Sequence, residues 1–185
     1  MSKYDIVITL FTIVYGLMLA DLFLSFHKLI RSRKTVKWHW LPLLTAWYLF
    51  LTILNNWWGL LPSQGSTFSM NVYIFIAYGH WLLLTFLLVL TALPDVIEKK
   101  GVDLKSYYFK NHRYFWGLMS SVVILSILIN LIKQFHQSGP IEISTILAVT
   151  IFPILTITLA ISKKYWVHST IIVILVTGVI LEMIF

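Results

Sequence analysis

The stretch LPDVIEKKGVDLKSYYFKNHRYFW, from Leu93 to Trp116, is the longest polar connection in the sequence and decides how the chain is divided. Long apolar runs lie on both sides of it. A helix needs about 20 mainly apolar residues to cross the hydrocarbon core of a bilayer, and these runs approach that length. Only 11% of the residues are charged, against about 25% in soluble domains. The sequence therefore predicts an integral membrane protein.

Six apolar segments predict an all-α bundle of six transmembrane helices, forming one domain over residues 1–185. The predicted helices cover about 6–30, 41–61, 72–93, 116–132, 140–162 and 166–185. Pro94 ends the third segment, because proline lacks an N–H group and restricts the residue before it. The first segment has no basic leader and no clear cleavage site, so we expect it to be retained as a helix.

The connection over 94–115 is predicted to form a cytoplasmic interfacial element of two short helices, about 95–100 and 104–112. Gly101 suits the position after a helix, and Asp103 suits a helix N-cap. Apolar and aromatic residues recur at helical spacing opposite basic ones, a pattern typical of a helix lying on a membrane surface. A solvated loop with interfacial aromatic residues is the alternative.

Lysine and arginine residues are distributed unevenly among the connections. Twelve of the fourteen lie in three connections that alternate with sparsely charged ones. These are Lys28, Arg31, Arg33, Lys34 and Lys37 after the first helix, Lys99, Lys100, Lys105, Lys110 and Arg113 after the third, and Lys163 and Lys164 after the fifth. Because basic connections stay in the cytoplasm, the pattern predicts both termini on the external or periplasmic side.

Several sequence motifs carry a resemblance to known proteins. They are FHKLIRSRKTVKWHWLPLL, NNWW, LPD and DLKSYYFKNHRYFWGL, which together cover about 10–118. This pattern resembles a family of small bacterial multi-pass inner-membrane proteins with no known activity. The resemblance implies a location in the bacterial inner membrane and no particular chemistry.

Polar side chains within the predicted membrane segments form a candidate intramembrane site. A rise of about 1.5 Å per residue places one group of them in the outer half of the bilayer. This group contains Tyr15, Asn55, Asn56, His80, Thr150 and Thr177, with Asn130 and Glu182 nearer the outer surface. Each polar group in hydrocarbon costs free energy unless it is paired or solvated, so such a layer indicates function. Hydrogen bonds that hold the helices together are the favoured interpretation, and a cavity open to the outer face that binds an ion or small molecule is the alternative.

Asp21 is a candidate buried acid near the cytoplasmic end of the first helix. A proton-relay role is one interpretation. Pairing with a cation of the connections, such as Lys28 or Arg113, is the simpler one, because long basic side chains can extend to the interface.

Cofactor and metal sites find no support in the sequence. The absence of cysteine excludes disulfides and thiolate ligands. Among the six histidines only His80 is predicted to lie deep, so a bis-histidine haem site is not expected, and no zinc-binding spacing occurs. The net charge of +7 would indicate nucleic-acid binding in a soluble protein, but membrane insertion explains it here. We therefore predict no cofactor, no metal and no nucleic-acid partner.

Two functions follow as expectations. The first is a non-enzymatic membrane protein that binds a cytoplasmic protein partner or anionic lipid through its basic and aromatic connections. The contacts would be Lys105, Tyr107, Tyr108, Lys110 and Arg113. The second is a small channel or transporter that uses the outer polar layer and assembles as a homo-oligomer, with Gly16 and Ala20 offering a close-packing face. An enzyme is the third and least favoured reading.

Overall fold

A computed structural model describes residues 3–59, 72–97, 100–137 and 143–184. This part of the chain contains six helices and two short strands. In chain order they are α1 (Lys3–Arg31), β1 (Val36–Lys37), α2 (Trp40–Trp58), α3 (Val72–Leu90), β2 (Val102–Asp103), α4 (Leu104–Gln137), α5 (Ile143–Ile161) and α6 (Tyr165–Ile184). The all-helical class is confirmed. The predicted helix ends near residues 61 and 140 lie outside the described residues.

Helix α4 corrects the prediction for the long connection. It is one helix of 34 residues, where the sequence predicts a short helix over 104–112 and a separate one over 116–132. Asp103 does act as the cap, since its Oδ1 accepts a hydrogen bond from the Ser106 N–H at 3.1 Å. Neither glycine nor proline follows before Gly117, so nothing ends the helix. Residues 94–97 are not helical, so the first predicted short helix is wrong there.

The helices form a closed ring. Each contacts its neighbours in the order α1, α3, α4, α5, α6, α2 and back to α1, and α2 also touches α4 across the ring. Fully buried side chains fill the interior, among them Met18, Leu49, Leu88 and Trp116. Every helix therefore has one face toward this interior and another toward the surroundings.

The outward faces carry many large apolar side chains, such as Leu17, Leu24, Leu83 and Ile154, each about half exposed. Within the described residues, four helices are long and apolar enough to cross a membrane. Their apolar parts are Asp5–Arg31, Val72–Leu90, Leu104–Ile132 and Tyr165–Ile184, and Val149–Ile161 is a shorter apolar segment. Such an apolar exterior is expected of a protein whose solvent is lipid.

Strands β1 and β2 join the first two basic connections. They pair in parallel, with Val36 opposite Val102 and Lys37 opposite Asp103. Gly101 permits this pairing, because its φ of 86° favours glycine and a Cβ there would lie 2.0 Å from the Thr35 carbonyl oxygen. Gly101 therefore serves a close backbone approach, not the predicted helix end.

Tyr165 brings the third basic connection to the same place. Its hydroxyl accepts a hydrogen bond from Trp40 Nε1 at 2.9 Å, and the Lys105 ammonium lies 5.0 Å from the centre of its ring. Trp40 follows the first basic connection and Lys105 the second. All three connections thus meet at one end of the bundle, which we call the basic end.

Candidate functional site

A cavity of about 290 Å³ lies near the end of the bundle opposite the basic end. We call it the polar cavity. Its polar lining comes from α1, α2, α4 and α6 and consists of Tyr15, Asn55, Asn56, Ser126, Asn130 and Glu182. Trp58, Tyr78 and Trp81 supply aromatic walls. At about 30 Å³ per water molecule, the cavity has room for several waters or one small solute.

The cavity contains half of the predicted intramembrane site. Tyr15, Asn55 and Asn56 line it, whereas His80, Thr150 and Thr177 are exposed and lie outside it. The His80 ring Nδ1 instead hydrogen-bonds the Ile76 carbonyl oxygen at 2.8 Å. Depth along a helix can be estimated from residue position, but the face on which a side chain lies depends on how the helices pack. His80, Thr150 and Thr177 therefore share the predicted depth, but their side chains lie on helix faces that point away from the cavity.

Two buried groups of the cavity lining have no hydrogen-bond partner among the described residues: the Tyr15 hydroxyl and the Trp81 Nε1–H. Both residues are more than nine-tenths buried, with relative exposures of 2% and 7%. A buried donor without an acceptor costs about 1–3 kcal/mol. Asn56, in contrast, donates its side-chain N–H to the Thr52 carbonyl oxygen at 2.8 Å. Both donor atoms are shielded from a water-sized probe by the surrounding side chains, so a molecule in the cavity reaches them only after a small movement of the lining.

Ser126, Tyr78 and Trp81 are members of the lining that the sequence reasoning missed. A signal existed for Ser126, because it precedes Asn130 by four residues and therefore lies on the same face of α4. Trp81 directly follows His80, and the helix turns the tryptophan inward while the histidine faces outward. Nothing in the α3 sequence alone distinguishes these two faces, since its residues are apolar on all sides.

The basic end contains a second buried polar cluster, the Tyr108 network. Trp116 Nε1–H donates to the Tyr108 hydroxyl at 2.9 Å, and that hydroxyl lies 2.8 Å from His168 Nδ1. His168 Nε2 lies 2.9 Å from the Ser162 carbonyl oxygen. Because a carbonyl only accepts, His168 Nε2 carries the proton, and Nδ1 accepts from the Tyr108 O–H. With a neutral His168 ring, the network runs from Trp116 through Tyr108 and His168 to the Ser162 carbonyl.

His112 adjoins this network without joining it. Its ring centre lies 5.5 Å from that of His168, and its Nδ1 is 2.7 Å from the Phe109 carbonyl oxygen. Its Nε2 is buried and has no partner in the described part of the chain. No three histidine, aspartate or glutamate residues lie together here or elsewhere among the described residues in a way that could hold a metal ion.

The predicted contact residues of α4 divide into two groups. Tyr107 and Tyr108 point into the protein, since the Tyr107 hydroxyl donates to the Thr91 carbonyl oxygen at 3.2 Å and Tyr108 is 6% exposed. Lys105, Lys110 and Arg113 are exposed. The apolar face of this segment therefore packs against the other helices and not against lipid, which corrects the prediction of a surface helix.

Asp21 lies half-buried on α1, within electrostatic range of Lys28 and of Asp95. Asp95 belongs to the LPD motif and accepts a hydrogen bond from the Ser25 hydroxyl at 2.9 Å. The motif thus attaches the end of α3 to α1. The proximity of a second carboxylate to Asp21 was not expected from the sequence, and the pairing of Asp21 with a cation stays a prediction.

His39 caps α2 at the basic end. Its Nδ1 accepts a hydrogen bond from the Leu41 N–H at 3.3 Å, which requires that nitrogen to be unprotonated. Burial lowers the pKa of His39, and the nearby Lys105 ammonium lowers it further, while Asp103 acts in the opposite direction. These surroundings favour the neutral ring that the cap needs.

No protein-family model, curated protein or solved structure matches the chain. The functional assignment therefore depends on the geometry of the polar cavity and of the basic end.

Proposed function

We propose that this chain is a multi-pass inner-membrane protein whose six helices all cross the bilayer and which binds a small polar solute in the polar cavity. The basic end lies in the cytoplasm, in line with the bias of lysine and arginine, and the cavity lies in the outer half. One observation carries the proposal: a 290 Å³ cavity with a polar lining and two unpartnered buried donors, in a bundle with an apolar exterior.

The energetics support a binding role over a purely structural one. Interhelical hydrogen bonds would use the polar groups, yet Tyr15 and Trp81 each retain a donor that has no partner among the residues described. Polar groups in a membrane bundle that do not bond to one another usually face water or a ligand. A bound solute or its water would satisfy both donors.

The inner boundary of the cavity favours a binding site over an open channel. Met18, Leu49 and Met119 are buried at a level between the cavity and the basic end, and the Tyr108 network lies beyond them. A solute entering from the outside therefore meets a closed floor. A transport cycle would require a second conformation that opens the basic end, and the homo-oligomer expected from the sequence would accommodate such a change.

A cavity-filling substitution tests the proposal. Ser126→Phe places a large ring in the cavity, whereas Ser121→Phe places the same ring on the exposed face of the same helix. Purified protein would be titrated with glycerol, urea, glycine, choline and acetate, with tryptophan fluorescence as the readout, because Trp58 and Trp81 line the cavity. We expect saturable binding of at least one solute to wild type and to Ser121→Phe, and none to Ser126→Phe. Equal binding by all three proteins, or by none, would contradict the proposal.

A second function, recognition of anionic lipid headgroups, is favoured by the exposed cations of the basic end. Lys105, Lys110 and Arg113 lie at the same end as Arg31, Arg33 and Lys34. Each basic residue near an anionic surface contributes about 1 kcal/mol. Because Tyr107 and Tyr108 point inward, these two rings do not contribute to the attraction.

The test of this second function uses the melting temperature of the detergent-solubilised protein with added lipid. We expect phosphatidylglycerol to stabilise the wild type more than phosphatidylcholine does, and salt to weaken the difference, since exposed charges are screened within about 8–10 Å. Replacing Lys105, Lys110 and Arg113 together by glutamine should reduce the difference. An unchanged preference in that variant would exclude these residues.

A further inference from the structure

The residues that line the polar cavity indicate the charge of the molecule that it binds. Among the residues that the structure describes, Glu182 is the only acidic residue of the lining, and no lysine, arginine or histidine takes part. In a bundle that carries twice as many basic as acidic residues, the described part of this lining contains a carboxyl group and no basic side chain. Such a lining repels anions and attracts a cation.

Aromatic rings form much of the remaining wall. Tyr15, Trp58, Tyr78 and Trp81 come from α1, α2 and α3 and surround the same space. The negative face of an aromatic ring attracts cations, most strongly for tryptophan, and groups of such rings recognise organic ammonium ions. An inorganic cation would instead require several oxygen ligands around it. The walls therefore suit an organic cation better than a metal ion.

The unpartnered groups specify the rest of the ligand. Tyr15 O–H and Trp81 Nε1–H need an acceptor, which an ammonium group cannot supply. The Asn56 side chain donates one N–H to the Thr52 carbonyl oxygen, and its own amide oxygen can accept a hydrogen bond. A molecule that carries both an ammonium group and an oxygen atom would satisfy the two kinds of group at once.

We propose that the ligand of the polar cavity is a small organic ammonium ion bearing a hydroxyl or carbonyl oxygen, of the amino-alcohol class. Its cationic centre lies against the rings of Trp58, Tyr78 and Trp81 and near the Glu182 carboxylate. Its oxygen atom accepts hydrogen bonds from Tyr15 and Trp81 after a small movement of the lining that uncovers these two buried donors. This inference rests on the proposed binding function and assigns the class of solute to it.

The experiment compares choline with 3,3-dimethylbutan-1-ol, which has the same shape and hydroxyl group but a carbon atom in place of the charged nitrogen. Binding to the wild type would be measured by tryptophan fluorescence. We expect choline to bind on the order of tenfold more tightly than the neutral alcohol, the magnitude of a partly desolvated cation–π contact. Glu182→Gln should remove most of this preference without weakening binding of the alcohol.

Two further variants separate the aromatic contribution from loss of fold. Trp81→Leu should weaken choline binding severalfold, whereas Trp47→Leu, which changes an exposed tryptophan of α2 outside the cavity, should leave it unchanged. Glu182→Asp retains the charge and should keep the preference for choline even if Glu182→Gln proves unstable.

The outcomes distinguish this inference from the proposed function. Equal affinity for choline and the neutral alcohol, or a preference for choline that survives in Glu182→Gln, would overturn the organic-cation assignment. Binding of glycerol or urea without binding of choline would also overturn it and would leave the polar-solute function standing. If none of the solutes binds the wild type, the proposed function itself fails.

Discussion

Both ends of the bundle contain buried polar side chains, but the hydrogen bonding of these side chains differs between the two ends. At the basic end, Trp116, Tyr108, His168 and the Ser162 carbonyl form an unbroken series of hydrogen bonds, and the neighbouring His112 Nε2 is the one buried side-chain atom there without a partner among the described residues. At the opposite end, Tyr15 and Trp81 belong to the lining of the polar cavity and hold buried donors that have no partner in the described part of the chain. Buried polar side chains therefore form a hydrogen-bonded network at one end of the bundle and line a cavity at the other.

The difference shows how structural and functional polar groups can be distinguished. A satisfied network stabilises the one arrangement of helices that aligns it, so it closes the basic end. Unsatisfied polar groups beside a cavity lower the stability of the empty protein, and a hydrogen bond from a bound ligand or water offsets that cost. The predictions below test each side of this contrast, beginning with the largest expected effect.

Breaking the Tyr108 network should cost the most. Tyr108→Phe leaves the Trp116 N–H without an acceptor and His168 Nδ1 without a donor, each worth about 1–3 kcal/mol when buried. The matched control is Tyr107→Phe, the adjacent residue, which loses a single, partly buried bond to the Thr91 carbonyl. Thermal unfolding in detergent should show a much larger loss for Tyr108→Phe. Equal losses would mean that the network does not hold the basic end together.

Gly101 tests the joint between the first two basic connections. Gly101→Ala forces a Cβ toward the Thr35 carbonyl oxygen at a positive φ and should destabilise the protein by about 1–3 kcal/mol. Gly117 lies within α4, where an added Cβ meets nothing within 4 Å. Gly117→Ala should therefore be neutral or stabilising by about 0.5–1 kcal/mol. Loss of stability in both variants, followed by thermal unfolding, would contradict this account of the strand pairing.

Tyr15→Phe tests the cavity end of the bundle, where removal of a buried hydroxyl should not lower stability. The hydroxyl has no partner in the described residues, so its removal should leave the empty protein as stable as before or slightly more stable. Binding of choline should weaken at the same time, because one donor to its oxygen is lost. A stability loss as large as that of Tyr108→Phe would show that the Tyr15 hydroxyl has a structural bond.

The smallest effect is expected from His39. Its pKa is lower in the folded protein than the unfolded value of about 6.5, so below that pH the unfolded chain binds more protons and stability falls as the pH falls. The contribution is complete above about 6.5. His39→Asn keeps a capping acceptor that does not titrate. Unfolding measured between neutral and mildly acidic pH should be less pH-dependent in the variant, and an identical pH dependence would exclude His39 as the cause.

Much of the architecture could be predicted from residue patterns. Apolar segments indicate helices because the helix is the structure that satisfies its own backbone in an apolar environment. The predicted break within α4 is wrong: the basic and aromatic composition of this segment is typical of a surface helix, yet Leu104 and Trp116 are both fully buried. The composition of this segment reflects packing at the basic end and not a change of direction.

Part of the candidate site could be predicted from the sequence, and a physical reason separates that part from the rest. Tyr15, Asn55 and Asn56 were found because polar residues in apolar helices are costly and therefore informative. Trp81 and Tyr78 could not be found, because an aromatic residue in an apolar helix fits the interior, the lipid face or a cavity wall equally well. The Tyr108 network joins α4 to α6 across 60 residues of sequence, and no local pattern indicates such a partner.

Accessibility of single cysteines at the two ends tests the central contrast most directly, because the chain contains no cysteine of its own. Ser126→Cys places a thiol in the polar cavity, and Thr45→Cys places one among buried side chains of the basic end, where Thr45 is 1% exposed. A membrane-impermeant thiol reagent would be added to the outside of intact cells. The account predicts that Ser126→Cys is modified and Thr45→Cys is not. Modification of Thr45→Cys as fast as Ser126→Cys, or no modification of Ser126→Cys, would contradict an outward-facing cavity above a closed basic end.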